Sequence, residues 1–368
     1  MARKEKNGGM SRRLFVRRCA EGCVVCALPV VAGGCGAKGG VVNQAPLPPT
    51  GIFPEMPVAA VGMAGVRSSI FKAVEEAVEA SGGLAEIGRG QRVMIKPNMT
   101  GPAIWGKYPP GPITTNPEVL RAVVRLVKQR GAHPLVGDRA MLWDDFSFKS
   151  TGFAKVCAEE KAEAFLWKNA DYVWFRSGKR HWSHGFRIPR ILGEADHFIN
   201  LPVLKNHEAT NAEFTCCLKS FVGVCHPEDR HQKGADNLHL ENIGEKIAEL
   251  NLAAAPLINI VDATTIMTKG GPGAGIAEGD VAYKDAQWED ANLIIASRDR
   301  VACDAVGLAV LKRYAAERNI KRPYVDKSVR DQVQIYYAAE LGLGQADPAN
   351  ITIEDVKAPL VDEFKANL

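Results

Sequence analysis

From residue 66 onward, the chain alternates between segments with helical spacing of apolar residues and short runs rich in β-branched residues. In residues 66–83, apolar side chains recur three and four positions apart before two glycines, so this segment predicts an amphipathic helix. Residues 114–132 predict a second helix, with Asn116 as its N-cap, Pro117 in its first turn and Gly131 after its last turn. Five apolar runs predict buried strands, and their sequences are RVMIKPN, HPLVGD, DHFINLP, LINIVDA and NLIIAS.

This alternation is typical of an α/β fold, and we predict a mainly parallel, helix-flanked sheet. Further helices are predicted near residues 242–253, 300–314 and 329–342. Residues 143–190 are rich in aromatic and basic side chains and do not follow the alternation, so we predict an inserted subdomain or lid there.

The first 35 residues carry the regions of an export signal in order. The sequence SRRLFVR at residues 11–17 resembles a twin-arginine motif, and a short apolar stretch follows it. AGGC at residues 32–35 resembles a lipobox, in which Cys35 would be lipidated. Cleavage without lipid is the alternative, because Ala32 is a less usual first lipobox residue than leucine.

We therefore predict a protein exported by the twin-arginine machinery and held by a lipid anchor at the periplasmic or outer face of a membrane. Its predicted parts are a signal peptide over residues 1–35, a Gly/Pro-rich tether over 36–60, an α/β domain over 61–345, and a C-terminal strand and tail over 346–368.

The distribution of charge argues against a nucleic-acid partner. The chain has a formal net charge of +4, but residues 1–34 hold seven Lys and Arg against two Glu. The rest of the chain carries 39 basic and 40 acidic residues, so its basicity belongs to the signal.

Five cysteines remain once the four in the N-terminal segment are set aside. Their odd number and the absence of a Cys-x-x-Cys pair argue against a disulfide framework and against a ferredoxin-type cluster. The neighbours Cys216 and Cys217 are interpreted as small apolar core residues beside Phe214, Leu218 and Phe221.

Polar residues collect where the predicted strands end, which is where parallel sheets bind ligands. The residues concerned are Lys96, Asn98, Asp138, Asn200, Lys205, His207 and Asp262. The glycine-rich turn GGPGAG, at residues 270–275, lies beyond Asp262, and its backbone amides would suit an anion, although an ordinary surface loop fits this motif equally well.

Seven segments in order resemble the family called domain of unknown function 362, from about Arg92 to Gly344; they are VMIKPNMT, TTNPEVLRAVVRLVKQRGA, VGD, INLPVLKNHEATNAEFTCCLKSFVGV, INIVDAT, GGPGAG and SRDRVACDAVG. Some members look like iron–sulfur proteins with an appended ferredoxin-like motif, which this chain lacks. The resemblance implies functional positions at Lys96, Pro97, Asn98, Lys205, His207, Lys219, Asp262, Gly271, Pro272, Gly273, Asp299 and Asp304.

Lys96, Lys205 and Lys219 would place several ammonium groups around one cleft. Burial and repulsion would either lower a lysine pKa enough for a neutral base or be compensated by an anionic ligand. The structural alternative is that Lys96 pairs with Asp138 and that Lys219 only extends its amine from a packed helix.

His207 is the best candidate for a general acid or base, because imidazole titrates near neutrality. Asp262 would orient a lysine or coordinate a cation. We thus predict Lys96, Lys205, His207 and Asp262 as catalytic residues, and Asn98, Asp138, Lys219, Gly271, Pro272 and Gly273 as ligand-binding residues.

The sequence CHPEDRH, at residues 225–231, raises the alternative of a metal site. Zinc or iron could be held by His207, His226 and His231 with Asp229 or Glu228, although a solvated polar loop explains the same residues.

The predicted function is an exported, lipid-anchored oxidoreductase or isomerase that acts on a small anionic or metal-bound ligand by redox or proton-transfer chemistry. Two alternatives use other classes: a non-catalytic envelope lipoprotein that captures the same ligand, and a redox partner with an iron–sulfur or other metal cofactor. Retention of an unaltered ligand would favour the first, and colour or bound metal would favour the second.

Overall fold

The structure, a computed structural model, describes residues 57–100, 112–140, 144–176, 181–207, 212–231, 237–270 and 286–368. The predicted signal peptide with Cys35 and most of the predicted tether lie outside these ranges. The predicted anion-binding turn of Gly271, Pro272 and Gly273 also lies outside them, so its role stays a prediction.

The strands are β1 (Ala59–Gly65), β2 (Arg92–Pro97), β3 (His133–Val136), β4 (Glu163–Ala164), β5 (Tyr172–Phe175), β6 (Phe186–Pro189), β7 (His197–Leu201), β8 (Val203–Asn206), β9 (Phe214–Thr215), β10 (Ile258–Lys269), β11 (Gln287–Glu289), β12 (Leu293–Ser297) and β13 (Ile351–Val356). The α-helices are α1 (Ile70–Ala80), α2 (Pro117–Gln129), α3 (Asp144–Ser150), α4 (Phe153–Glu160), α5 (Ile191–Glu194), α6 (Cys217–Ser220), α7 (Pro227–Arg230), α8 (Ile243–Leu250), α9 (Arg300–Glu317), α10 (Pro323–Asp326), α11 (Val333–Glu340) and α12 (Val361–Asn367).

One large sheet runs through the described residues in the order β13-β1-β12-β10-β7-β2-β3-β4. The block from β10 to β4 is parallel, whereas β12 is antiparallel to both of its neighbours. β8 and β11 add to β10, β9 pairs with β8, and β5 and β6 form a separate antiparallel hairpin. The prediction of a mainly parallel, helix-flanked α/β sheet is confirmed.

The two N-terminal helices form where their capping residues indicate. Asn116 accepts a hydrogen bond from the amide of Glu118, and Pro117 opens α2. Gly131, with a φ of 73°, turns the chain out of that helix, as the sequence predicts. Ser69 caps α1 in the same way, by accepting from the amide of Lys72 at 3.4 Å.

The sheet divides the apolar core into two layers, because successive strand side chains point to opposite faces. In β2, Val93 and Ile95 pack in the layer covered by α1, α2 and α4, whereas Met94 packs in the layer that contains α6 and α9. Continuing this alternation places Lys96 on the α6 face of the sheet. The end of β2 therefore delivers an amine into the second layer.

Residues 144–176 and 181–190 cover one end of the sheet. α4 packs on α2, β4 adds a short parallel strand beside β3, and the β5–β6 hairpin follows. Gly137 allows this crossing, since a Cβ there would lie 1.9 Å from the carbonyl oxygen of Phe165.

The C-terminal strand belongs to the main sheet. β13 pairs in parallel with β1, and the residues after it form α12 rather than a loose tail, with Phe364 fully buried. Among the helices of the described ranges, none combines the length and apolarity that crossing a membrane requires.

Candidate functional site

Lys96, on the α6 face of the sheet, is the first of three buried or partly buried lysines whose charges act on Lys205 or belong to it. Its side chain is 1% exposed, and Nζ lies 3.0 Å from Asp138 Oδ1 and donates to Ser220 Oγ at 3.0 Å. Burial lowers its pKa, and the charge of Asp138 opposes that effect. The alternative prediction that Lys96 pairs with Asp138 is thus confirmed.

Lys205, on β8, is buried against the segment that precedes α2. Nζ donates to Thr100 Oγ1 at 2.9 Å and to the carbonyl oxygen of Ile113, and it lies 3.5 Å from Asn98 Oδ1. These three acceptors match the three donors of an ammonium group. Burial, followed by the charges of Lys219 and Lys96, lowers the pKa of Lys205 well below its ordinary value.

Lys219, in α6, differs from the other two because its amine has no hydrogen-bond or ion-pair partner among the described residues. The side chain is partly buried. Burial, with a smaller contribution from Arg230, lowers its pKa to about 7. At neutral pH, about half of such amines are uncharged and can accept a proton.

Lys96, Lys205, Lys219 and Asp138 together are called the lysine site below. Asp138 is the carboxylate that acts on both Lys96 and Lys205, so the amines outnumber the acid three to one. Asp138 Oδ2 is held by the amide of Met99 at 2.9 Å. An excess of buried positive charge of this kind is relieved either by loss of protons from the amines or by an anionic ligand.

Gly223 brings the turn after α6 onto the lysine site. A Cβ at this position would lie 2.4 Å from Asp138 Oδ1 and 3.0 Å from Lys96 Nζ. Only a residue without a side chain permits this approach.

Asn98 lies in the lysine site as a connector. Its backbone N–H donates to Thr115 Oγ1 at 2.8 Å, and the Thr115 hydroxyl donates to the carbonyl oxygen of Leu201 at 2.8 Å. The ends of β2 and β7 are thereby tied to the segment that supplies the Ile113 carbonyl to Lys205.

Asp262 is fully buried on β10, and both of its oxygens accept hydrogen bonds. Oδ2 accepts from the amide of Asn116 at 2.6 Å, and Oδ1 accepts from the amide and hydroxyl of Thr264. Burial raises its pKa to about 6. The described contacts therefore make Asp262 an anchor for the start of α2; its predicted catalytic role stays a prediction.

His207 lies just beyond β8 and lines an open groove of about 520 Å³. Its amide donates to the carbonyl oxygen of Glu213 at 2.9 Å. None of the three site lysines lines this groove, whose other polar walls are Asn206, Glu213, Arg322, Lys327, Gln332 and Gln334. The structure thus brings five of the predicted residues together, Lys96, Asn98, Asp138, Lys205 and Lys219, and shows His207 on a different surface feature.

The structure does not bring His226, Asp229 and His231 together as a metal group. Asp229 accepts from the backbone amide and guanidinium of Arg187, with Nη2 to Oδ1 at 2.8 Å. His226 caps α7 and packs edge-on against Tyr172, and His231 stacks on His239. Within the described ranges, the group whose ligand atoms lie within 4.8 Å of one another is Cys216, Cys217 and Asp304.

The thiols of that group are buried in the same core as Phe214 and Phe221, which confirms their predicted packing role. Burial raises the pKa of both Cys216 and Cys217, so the protonated thiol is favoured. Asp304 accepts from the amide of Leu218 at 3.2 Å and from Gln334 Nε2 at 3.1 Å, and burial raises its pKa to about 7. The acid therefore fixes the turn that carries Lys219.

Asp299, the other acid at the start of α9, is a capping residue. It accepts from the amides of Val301 and Ala302 and from the amide of Gln345. This geometry gives it a structural task.

Sequence reasoning missed Ser220, Arg230, Trp167 and Tyr172. Arg230 is buried beside the lysine site, and Trp167 lies with its ring centroid 5.9 Å from Lys96 Nζ. Arg230 belongs to the sequence CHPEDRH, so the sequence did contain a signal for it. In addition to burial, its charge lowers the pKa of both Lys96 and Lys219.

Comparison with known proteins matches residues 93–309 to a family model described as domain of unknown function 362. Among curated proteins, a thylakoid-associated protein of Synechocystis sp. is 28% identical over 216 residues, which cover 55% of this chain. The match spans 61% of that relative, less than two thirds of its length. Every residue of the lysine site falls within the family match.

Proposed function

The chain belongs to the domain of unknown function 362 family, and on that premise we propose that it is an enzyme that binds a small anionic substrate at the lysine site and moves a proton with Lys219. The observation that carries this proposal is the contrast between two held amines and one unpartnered amine with a pKa of about 7.

The held amines supply the electrostatic part of the proposal. Lys96 has Asp138 and Ser220 as partners, and Lys205 has three oxygen acceptors, so both are oriented before a ligand arrives. Preoriented ammonium groups stabilise negative charge that develops on a substrate oxygen.

Lys219 supplies the proton acceptor. Its neutral amine would take a proton from a carbon next to a carbonyl or carboxylate group, and the electron pair of the broken C–H bond would move onto the carbonyl oxygen. Return of the proton to the same carbon or a neighbouring one completes an exchange or an isomerisation. Such a step consumes no oxidant or reductant.

A single test identifies the substrate and the reaction together. The full chain is incubated in D2O with a mixture of small organic acids, and mass spectrometry identifies any acid that gains deuterium. We expect deuterium incorporation that Lys219→Met abolishes and that Lys155→Met, a change at an amine whose side chain is 74% exposed, leaves intact.

Binding measurements separate the enzyme from the capture lipoprotein. If an acid binds to the lysine site but no acid ever exchanges a proton, the protein is a binding protein and the catalytic proposal fails. If no acid binds at all, both functions fail.

The proposed location rests on the N-terminal motifs and on a relative described as thylakoid-associated. We propose export through the twin-arginine machinery and a lipid anchor at Cys35. Arg12→Lys combined with Arg13→Lys should retain the protein in the cytoplasm, and Cys35→Ala should remove lipid labelling. Membrane-bound, lipid-labelled Cys35→Ala protein would contradict the anchor.

A further inference from the structure

Several polar atoms next to the lysine site are buried without a hydrogen-bond partner among the described residues. Three of them belong to donors, Arg230 Nη2, Tyr172 Oη and Trp167 Nε1, and the fourth is Asp138 Oδ1, which has only its ion pair with Lys96. Most buried polar groups in proteins have partners, so a local group of exceptions calls for an occupant.

Arg230 is the strongest of these exceptions. Its side chain is buried, and its orientation is fixed because Nε donates to the carbonyl oxygen of Cys225 at 2.8 Å. The described residues place no carboxylate within ion-pair distance of its guanidinium. A guanidinium held by one edge with its other edge unoccupied is the geometry that accepts an anionic group.

The remaining atoms lie around the same region. The Trp167 ring lies 5.9 Å from Lys96 Nζ, and Lys96 in turn lies 3.0 Å from Asp138 Oδ1. Tyr172 packs edge-on against His226, the cap of the helix that carries Arg230, with ring centroids 4.6 Å apart. Buried phenol and indole groups normally find a hydrogen-bond acceptor.

We propose that Arg230, Tyr172 and Trp167 form a second anion subsite beside the lysine site, so that the substrate is a small molecule with two acidic groups. This inference rests on the proposed function and names its substrate class. The shared chemistry is a pair of anionic groups on one short skeleton, either two carboxylates or a carboxylate and a phosphoryl group.

The balance of charge supports two acidic groups rather than one. With Lys219 neutral as the proton acceptor, Lys96 and Arg230 remain as cations against Asp138, and a bound anion would favour the charged form of Lys205, which burial opposes. With Lys205 charged, a ligand with two negative charges would balance the three cations, whereas a ligand with one would leave a buried surplus.

The experiment measures the affinity of the full chain for matched acids by calorimetry. The dicarboxylates are malonate, succinate and glutarate, the phosphoryl probe is 3-phosphonopropionate, and the monoacids are acetate, propionate and butyrate. We expect the best two-group probe to bind at least about tenfold more tightly than its matched monoacid, as a charge-assisted pair contributes.

Variants assign that preference to the second subsite. Arg230→Met and Arg230→Lys should bring the affinity for the two-group probe down to that of the monoacid, and Tyr172→Phe should weaken it with the fold intact. Arg190→Met is the matched control, since its side chain is 47% exposed. If Arg230→Met fails to fold, Arg230→Lys and Tyr172→Phe still decide.

The possible failures are distinct. Equal affinity for monoacids and two-group acids, with both lost in Lys205→Met, would overturn the second subsite and leave the lysine site in place. An unchanged preference in the folded Arg230 and Tyr172 variants would overturn it as well. The absence of binding by any acid would instead defeat the proposed function.

Discussion

At the scale of the residue, Lys219 is the group whose protonation decides the proposed chemistry. Its charge interacts with those of Lys205, Arg230 and His239, with Asp138 as the compensating acid of the site. The Lys219 amine has no hydrogen-bond or ion-pair partner among the described residues, so no direct partner sets its proton affinity or its orientation. Its low pKa therefore depends on burial and on neighbouring charge.

We expect Lys219 to make the protein more stable as the pH rises above 7. The pKa of this lysine is about 7 in the folded chain and 10.5 in its ordinary state, so the unfolded chain binds more protons between these values. Stability from this group thus increases from pH 7 upward, by about 2 kcal/mol at pH 9. Urea unfolding of Lys219→Met should show a smaller increase over this interval.

The other buried groups contribute equally to the pH dependence of stability in the parent and in Lys219→Met. The difference between the two proteins therefore reports Lys219 alone. Lys96 and Lys205 contribute in the same direction, and Asp262 and Asp304, with pKa values of about 6 and about 7, contribute equally to both proteins. Parallel pH profiles for the two proteins would show that Lys219 has an ordinary pKa.

Gly223 is the second decisive residue, because it controls the distance between the turn after α6 and the Lys96–Asp138 pair. We expect Gly223→Ala to destabilise the protein by about 1–3 kcal/mol, the usual effect of forcing extra volume into a packed site. The new methyl group would lie 2.4 Å from Asp138 Oδ1. Denaturant unfolding would measure the loss of stability, and calorimetry would measure the effect on anion binding.

Gly88→Ala is the matched control for this substitution. A Cβ at Gly88 would meet Gln91 at an ordinary 3.5 Å, and this glycine does not have a positive φ. If Gly223→Ala behaves like Gly88→Ala in both measurements, the close approach of the turn does not matter.

At the scale of the element, the start of α2 is the part that connects the sheet to the lysine site. Asp262, from β10, holds the amide of Asn116, and the residues just before the helix present the Ile113 carbonyl to Lys205. A buried carboxylate can thus influence a lysine that it does not contact.

We expect Asp262→Ala to weaken anion binding through this connection. The substitution leaves the Asn116 amide and the Thr264 hydroxyl without their acceptor, at a cost of about 1–3 kcal/mol for each buried group. Asp262→Asn retains one acceptor oxygen and should restore part of the stability and affinity. Equal loss of proton exchange in both variants at saturating ligand would instead indicate that the carboxylate itself is catalytic.

Elements with strong local signals could be predicted from the sequence. The caps at Asn116 and Gly131 and the apolar runs of the parallel strands act within a few residues, so α2, β2, β3 and β7 form where expected. The pairing of β13 with β1 could not be read in this way, because it joins residues about 290 positions apart. Nothing in the local pattern of either strand specifies that partner.

The lysine site was predictable in part for the same reason. Lys96, Asp138 and Lys205 follow apolar strands, so strand ends predicted their meeting. Arg230 was missed because its importance comes from burial beside Lys96 and Lys219, which are more than 10 positions away in sequence. His207 looked equivalent to Lys205 by spacing, yet the groove it lines has other walls.

At the scale of the whole molecule, the sheet joins distant parts of the chain into one support for the site. Lys96 lies on β2, Asp138 lies just after β3, and Lys205 lies on β8, which pairs with β10. β13 closes the opposite edge by pairing with β1, which is in turn hydrogen-bonded to β12.

We expect removal of residues 346–368 to prevent stable folding, although no hydrogen bond or ion pair among the described residues joins them to the site lysines. The deletion removes β13 and α12 and with them the buried side chains of Ile351, Ile353, Val361 and Phe364. Burying each such side chain contributes about 1.5–3 kcal/mol, and the total is comparable to the 5–15 kcal/mol that keeps a typical domain folded. The deletion also leaves one edge of β1 without its partner strand.

Phe364→Ala is the graded control for that deletion, because it removes one buried ring and leaves the strand pairing in place. It should cost about 3–5 kcal/mol and yield a folded protein with a lower melting temperature. The truncated chain should be insoluble or lack a cooperative transition by circular dichroism. A soluble truncated chain that unfolds cooperatively and still binds acids would show that β1 to β12 and their helices suffice to support the lysine site.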